Sequence, residues 1–217
     1  MGLPCGTFST SYERDTAIFR TRLHWVMLIG GIILAFLVPL FGGSQLCTFL
    51  IYVMITIISA LGLNLLTGYC GQFSMGHAAF MAVGAFTGAN LMAIGVNFWL
   101  ALLAAGVAAG LVGVVFGLPS RRVKGIYLVL STLAAQFIIM YVIISWFGGA
   151  LGVHIPPLKI AGISFAFSER YYYIVLAVLL TMTYLAKNIV RTKVGRAFIA
   201  IRDNDIAAEA MGINTFL

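Results

Sequence analysis

The chain is 217 residues long, 62% hydrophobic and 9% charged, with a mean hydropathy of +1.06 and a formal net charge of +7. Soluble domains carry about a quarter charged residues, so a water-soluble enzyme or binding module is excluded. So is an outer-membrane barrel, whose segments of about ten alternating residues are absent. The basic residues sit in short segments between apolar runs, where they orient a membrane protein; no nucleic-acid partner is implied.

The composition therefore predicts an all-α, polytopic transmembrane helical bundle, with about six spans and a broken or re-entrant segment near residues 67–77. Residues 1–22 read as a cytoplasmic tail with Glu13, Arg14, Asp15, Arg20 and Arg22. Residues 23–185 read as the transmembrane domain, with spans at about 24–40, 47–66, 77–93, 98–118, 126–146 and 171–185. Each is near the length needed to cross a hydrocarbon core about 30 Å thick. The first reads as an uncleaved span, because no small-residue cleavage site follows it. Gly42-Gly43-Ser44-Gln45 is expected to be a turn.

The stretch Thr67 to Phe80 stands apart from the runs around it. Gly68, Gly71 and Gly76 interleave there with Thr67, Gln72, Ser74 and His77. Backbone that leaves a helix inside a bilayer survives only against protein or a water-filled cavity, and transporters build solute sites from such interruptions. A plain short turn between two spans is the alternative. Gly71, Gln72, Ser74, Gly76 and His77 are the candidate solute-path residues, with Phe73, Met75 and Phe80 for an apolar side chain. Two roles fit His77: touching solute, or holding the break together by hydrogen bonds.

Further along, Gly84/Gly88, Gly106/Gly110 and Gly113/Gly117 are pairs four residues apart, the spacing of close helix packing in lipid. Pro119 closes the fourth span before Arg121, Arg122 and Lys124. Residues 147–170 form a weakly charged loop, and Tyr171-Tyr172-Tyr173 reads as an interfacial aromatic belt. Asn64 and Gln136 are expected to hydrogen-bond between helices. Six crossings from a cytoplasmic N-terminus place eleven Lys and Arg inside and only Lys159 and Arg170 outside, as the positive-inside rule requires.

Residues 186–217 are too regular for a frayed end. Val194, Ala197, Phe198 and Ile201 make one apolar stripe at helical period. Asp205 is expected to cap a short helix over 206–211, with Glu209 near its positive end and Gly212 as its stop. Such a helix is a knob for a partner's groove, or a surface helix and turn without a partner. No catalytic or metal-binding set forms: His24, His77 and His154 lie in three separate segments, and no span carries a carboxylate beside them. Cys5, Cys47 and Cys70 lack paired spacing, and no phosphate-binding glycine-lysine motif is present.

The run Leu63-Asn64-Leu65-Leu66-Thr67-Gly68-Tyr69-Cys70-Gly71-Gln72-Phe73-Ser74-Met75-Gly76-His77-Ala78-Ala79-Phe80 resembles the signature of permease subunits of branched-chain amino acid ATP-binding-cassette importers. Three further blocks are similar to that family in the same order: Arg122-Val123-Lys124-Gly125-Ile126-Tyr127 with Ser131-Thr132-Leu133, Gly148-Gly149 through Ile155-Pro156, and Gly195-Arg196-Ala197 through Gly212-Ile213. The basic-flanked fifth span leans toward the second permease type, the M-type. Cys70 departs from the family, standing where Thr or another small polar residue is expected. Family members continue well beyond the last block, so a C-terminal truncation is expected.

The resemblance implies a multi-pass subunit of the bacterial inner membrane, embedded in the lipid bilayer. Its partners would be a homologous permease subunit, two cytoplasmic ATPase subunits and a periplasmic solute-binding protein. ATP and Mg would bind the ATPases, and this chain would hold no cofactor. Arg196, Arg202, Asp203, Asp205, Ala207, Ala208, Glu209 and Gly212 would form the ATPase-coupling segment. Urea or short amides are alternative solutes. A secondary carrier or channel is the alternative class, although no span has the buried charge that ion-coupled carriers use.

Overall fold

The computed structural model describes residues 22–41, 43–120, 125–146, 159–160, 163–164 and 168–213. Six long helices follow one another: α1 Arg22–Phe41, α2 Gly43–Asn64, α3 His77–Ala93, α4 Phe98–Ser120, α5 Ile126–Trp146 and α6 Ser168–Arg191. Two shorter ones follow among the described residues, α7 Lys193–Asp203 and α8 Asp205–Ala210. Between α5 and α6, β1 Lys159–Ile160 pairs antiparallel with β2 Ile163–Ser164. The fold is an all-α bundle with this one small ladder among the described residues. Gly-Gly…Ile-Pro in the fifth loop, the cluster Arg121, Arg122 and Lys124, and the amino-terminal tail lie outside them.

Among the described residues, four helical stretches are long and apolar enough to cross a membrane: Gly43–Tyr69, Phe98–Leu118, Ile126–Ser145 and Arg170–Arg191. Val26–Phe41 is a shorter apolar helix. The 17 residues of α3 reach about 26 Å at 1.5 Å per residue. Two expected boundaries move. Of the turn expected over 42–45, residues 43–45 already belong to α2, which starts at Gly43 with φ +62; Thr48 Oγ1 donates back to the Ser44 carbonyl at 2.9 Å. The sixth helix runs on to Arg191, past the expected end at 185, and a cation in its last turn suits the negative end of its dipole.

The core is divided. Cys47, Ile51 and Met54 of α2 pack with Tyr172, Val175 and Leu176 of α6, with Ala35 of α1 at the edge. Separately, Ala79 of α3 packs with Ile139 and Ile143 of α5, flanked by Val112 and Phe116 of α4. The chain thus makes two three-helix halves, α1–α2–α6 and α3–α4–α5. They meet where Ser59 lies against the Met81 sulfur and where the His77 ring lies by Gly62. Gly84 and Gly88 do pack closely, against Ala105 and Ala109 of α4. The α4 pairs do not: a Cβ at Gly106, Gly110, Gly113 or Gly117 would meet nothing within 4 Å. The small residues that α4 uses inside the chain are its alanines.

One residue of the tyrosine triplet does more than mark the start of a span: Tyr172 is 2% exposed and sits in the core. The cause lies in α1, where Pro39 has no N–H for the carbonyl four residues back, at Ala35. An apolar bundle offers no water to that oxygen. The Tyr172 hydroxyl supplies the missing donor at 3.0 Å, and Tyr173 donates to the next carbonyl, Phe36, at 3.3 Å. A helix defect in α1 is thus repaired by α6.

Tyr172→Phe should lower stability by about 1 kcal/mol. In a Pro39→Ala background, where α1 can pair its own carbonyl, the same change should cost much less. Thermal unfolding of the four variants in one detergent measures this coupling, and additive effects would contradict the repair.

Candidate functional site

The interruption after α2 is built from local conflicts. Thr67 Oγ1 donates back to the Leu63 carbonyl at 2.8 Å, a bond that competes with the helical ladder and bends it. From Leu65 to Tyr69 the ladder widens into a π turn, with the Cys70 N–H reaching the Leu65 carbonyl at 3.3 Å. The Asn64 amide, expected to bridge helices, instead lies over Gly68, where any Cβ would strike its oxygen. Gly71 then takes φ +70, a conformation that favours glycine and ends helices. Residues 70–76 run irregularly until His77 opens α3. The chain is interrupted here rather than continuous.

The far end of the interruption is fixed to the second half. The Met75 N–H donates to Thr132 Oγ1 at 3.1 Å, and a Cβ on Gly76 would stand 2.9 Å from the Thr132 carbonyl oxygen. Only glycine allows that approach. Thr132 is six residues into α5, about 9 Å along its axis, so the interruption dips into the bundle. Ser74 Oγ accepts a long bond from the Gly76 N–H, 3.4 Å.

The near end is fixed by the tail. At the corner after α6, the Thr192 hydroxyl donates to the Ile189 carbonyl at 2.7 Å. A Cβ on Gly195 would collide with the Val190 backbone, so glycine lets α7 fold tightly back. Gly195 is buried and Val194 is 53% exposed, while residues 197–201 are all half-buried; the expected stripe therefore does not begin at Val194. At the end of α7 the Arg202 guanidinium donates through Nη1 to the Gly68 carbonyl at 2.9 Å. Its Nε and Nη2 both reach Asp203 Oδ1, at 3.2 and 3.1 Å. The side-chain stem lies on Gly71, whose Cβ would fall 2.6 Å from Arg202 Cγ.

Beyond α7 the short helix is capped at both ends. Asn204, not Asp205, is the N-cap: its φ is −162, and its Oδ1 accepts the Ala207 N–H at 3.1 Å. Asp205 is already the first helical residue. Either residue type can cap; the extended backbone at Asn204 decides which one does. Gly212, at φ +81, closes the other end. Its N–H bonds to the Glu209 carbonyl and that of Ile213 to the Ala208 carbonyl, at 2.9 and 3.0 Å, the paired pattern of a glycine C-cap. Ala208 is buried, whereas Arg196, Ala207, Glu209 and Met211 are exposed, Met211 by 84%.

The sequence-predicted path residues therefore face different neighbours. Gly71 meets the tail, Gly76 meets α5, and His77 lies against Gly62 with its Nε2 buried and without a hydrogen-bond partner. Gln72 is exposed, as are Phe73 and Met75, by 69% and 59%, while Phe80 packs into the second core. An apolar groove of about 480 Å³ opens between α3, α4 and α5, touched by Thr87 and Asn90 and by none of these path residues. Sequence reasoning quoted Thr132 only within the Ser131-Thr132-Leu133 block and gave it no place at the interruption, and it missed the inward turn of Arg202. The only sign of the latter was its place at the end of the stripe.

Fold and site together define a class: a multi-pass membrane protein whose second helix is interrupted and whose carboxy-terminal helices return to the interruption. Residues 45–217 match the family described as branched-chain amino acid transport system / permease component, and the chain belongs to that family. It is similar to the high-affinity branched-chain amino acid transport system permease protein LivM of Salmonella typhimurium and to that of Escherichia coli. Each is 29% identical over 189 aligned residues, covering 74% of this chain and 44% of the relative. The chain thus spans less than half the length of the curated relatives it matches. No solved structure matches it.

Asn204→Ala should remove about 1 kcal/mol of helix-capping stability and speed amide exchange at Ala207 and Ala208 by roughly fivefold, whereas Asp205→Ala should change them little. Exchange read by mass spectrometry separates the two caps; equal effects would reinstate Asp205.

Proposed function

We propose that the chain is a permease subunit of an ATP-binding-cassette importer of the bacterial inner membrane, its N-terminus in the cytoplasm, moving branched-chain or related amino acids inward. The observation that carries this reading is the tail. A six-residue helix, too short to stand alone, is capped at both ends and held out by α7, with Ala207, Glu209 and Met211 exposed. The exposed face of so short a capped helix suits a knob for a partner's groove. The family match and the similarity to LivM support the same assignment.

In this reading the partners are a homologous permease subunit, two cytoplasmic ATPase subunits that bind ATP and Mg, and a periplasmic solute-binding protein. This chain does no hydrolysis. Nucleotide-driven movement of α8 is passed through α7 to the interruption, and the two halves rock about it. Solute passes the interruption: freed backbone groups at Gly71 and Gly76, with Gln72, Ser74 and His77, offer donors to a carboxylate and acceptors to an ammonium without a fixed charge.

Replacing residues 205–212 by a Gly/Ser linker should abolish co-purification with the partner ATPases and uptake in reconstituted vesicles. Retained association would defeat the coupling role, and flux without any ATPase would identify a carrier or channel instead. His77→Leu breaks no hydrogen bond at Nε2. It should leave assembly intact while lowering uptake by more than about tenfold. Loss of assembly would mark His77 as structural.

A further inference from the structure

The interruption is tethered at both ends, and the tethers belong to different halves. Its far end is held on α5 by Met75 and Gly76 against Thr132. Its near end is held by one side chain, Arg202, which arrives 134 residues later in the sequence. We propose that Arg202 is the positioning residue that ties the tail to the hinge between the two halves, so that displacement of α7 is delivered to residues 68–71 and from there to α3. This deepens the transport reading above and rests on it.

The chemistry supports a mechanical role. A π turn followed by a left-handed glycine leaves the last carbonyls of α2 without the N–H groups of a next turn. Cations suit that end of a helix. The guanidinium reaches the Gly68 oxygen through one nitrogen, while two others are held by Asp203, so its fork has one orientation. A lysine ammonium could reach the same carbonyl but could not hold that two-sided geometry. The Arg202–Asp203 pair is solvent-exposed, 45% and 64%, and contributes little stability by itself. Its effect is to aim the third nitrogen. The contact on Gly71 completes the tie, because the arginine stem occupies the space where any other residue would place its Cβ.

The tie also separates Arg202 from its neighbours in the tail. Ala207, Glu209 and Met211 are exposed for a partner, whereas Arg202 turns back onto its own chain. Removing it should break transmission without breaking docking.

The test is Arg202→Met, which keeps an apolar stem and removes the guanidinium, with Arg202→Lys beside it. Both are assembled with the companion permease and the ATPases in lipid nanodiscs or vesicles. In Arg202→Met, amide exchange over residues 69–72 should rise about tenfold, the factor expected for losing a charge-assisted hydrogen bond. Uptake should fall by a similar factor, and the ATPases should still co-purify. Arg202→Lys should recover part of the protection and part of the uptake together. The proposal is overturned if exchange over 69–72 is unchanged in Arg202→Met. It is equally overturned if uptake and ATPase association are lost together, which would place Arg202 on the partner. The exchange measurement can be made on the chain alone in nanodiscs. A rise there, together with failure of the unsubstituted chain to associate with the ATPases in the assembled arm, would uphold the tie while refuting the importer reading.

Discussion

An apolar bundle cannot leave backbone carbonyls unpaired, and that constraint organises this chain more than any single packing contact. Two carbonyls lose their helical partners for reasons written in nearby residues. Pro39 deprives Ala35 of its donor, and the π turn with Gly71 deprives Gly68. At Ala35, inside the bundle, an unpaired oxygen would cost several kcal/mol; at Gly68, beside the exposed Arg202–Asp203 pair, the guanidinium takes the place of a helical donor. Both are satisfied from far along the chain, by Tyr172 and Arg202. The two repairs tie α1 to α6 and α2 to α7, and so give the first half of the bundle its closure.

The second half closes differently. Small residues on α3 and α4 let those helices approach, and Ala79 with Ile139 and Ile143 fills the space against α5. No comparable core joins the halves among the described residues. They share instead an irregular seven-residue segment, 70–76, held at one end by an arginine and at the other by a threonine. Two separate cores joined by a tethered irregular segment are the arrangement that the proposed rocking of the halves requires.

Much of this was legible in the residues. Apolar runs of span length predict helices, and all six long helices lie where the runs do, because in lipid only a helix pairs its own backbone. The clustering of Gly68, Gly71 and Gly76 with polar residues predicts an interruption, since glycine permits both left-handed backbone and close approach. The end of α8 was legible too, because Gly212 is a helix stop by conformation alone. The start was ambiguous: Asn204 and Asp205 cap equally well by side chain, and only the backbone angles distinguish them.

What the amino-acid order determined by itself is therefore local: the membrane-embedded class, the helices, the break and the short capped tail, each set by hydropathy or by the φ/ψ range of a few residues. Only tertiary structure decided which glycines pack and which face outward, that Tyr172 is a core residue, and that Arg202 turns onto Gly68. All three depend on which surfaces meet, and at Tyr172 and Arg202 they meet across more than a hundred residues of chain. Periodicity carries no record of that meeting, because a carbonyl without a donor looks the same in sequence whichever distant side chain comes to fill it.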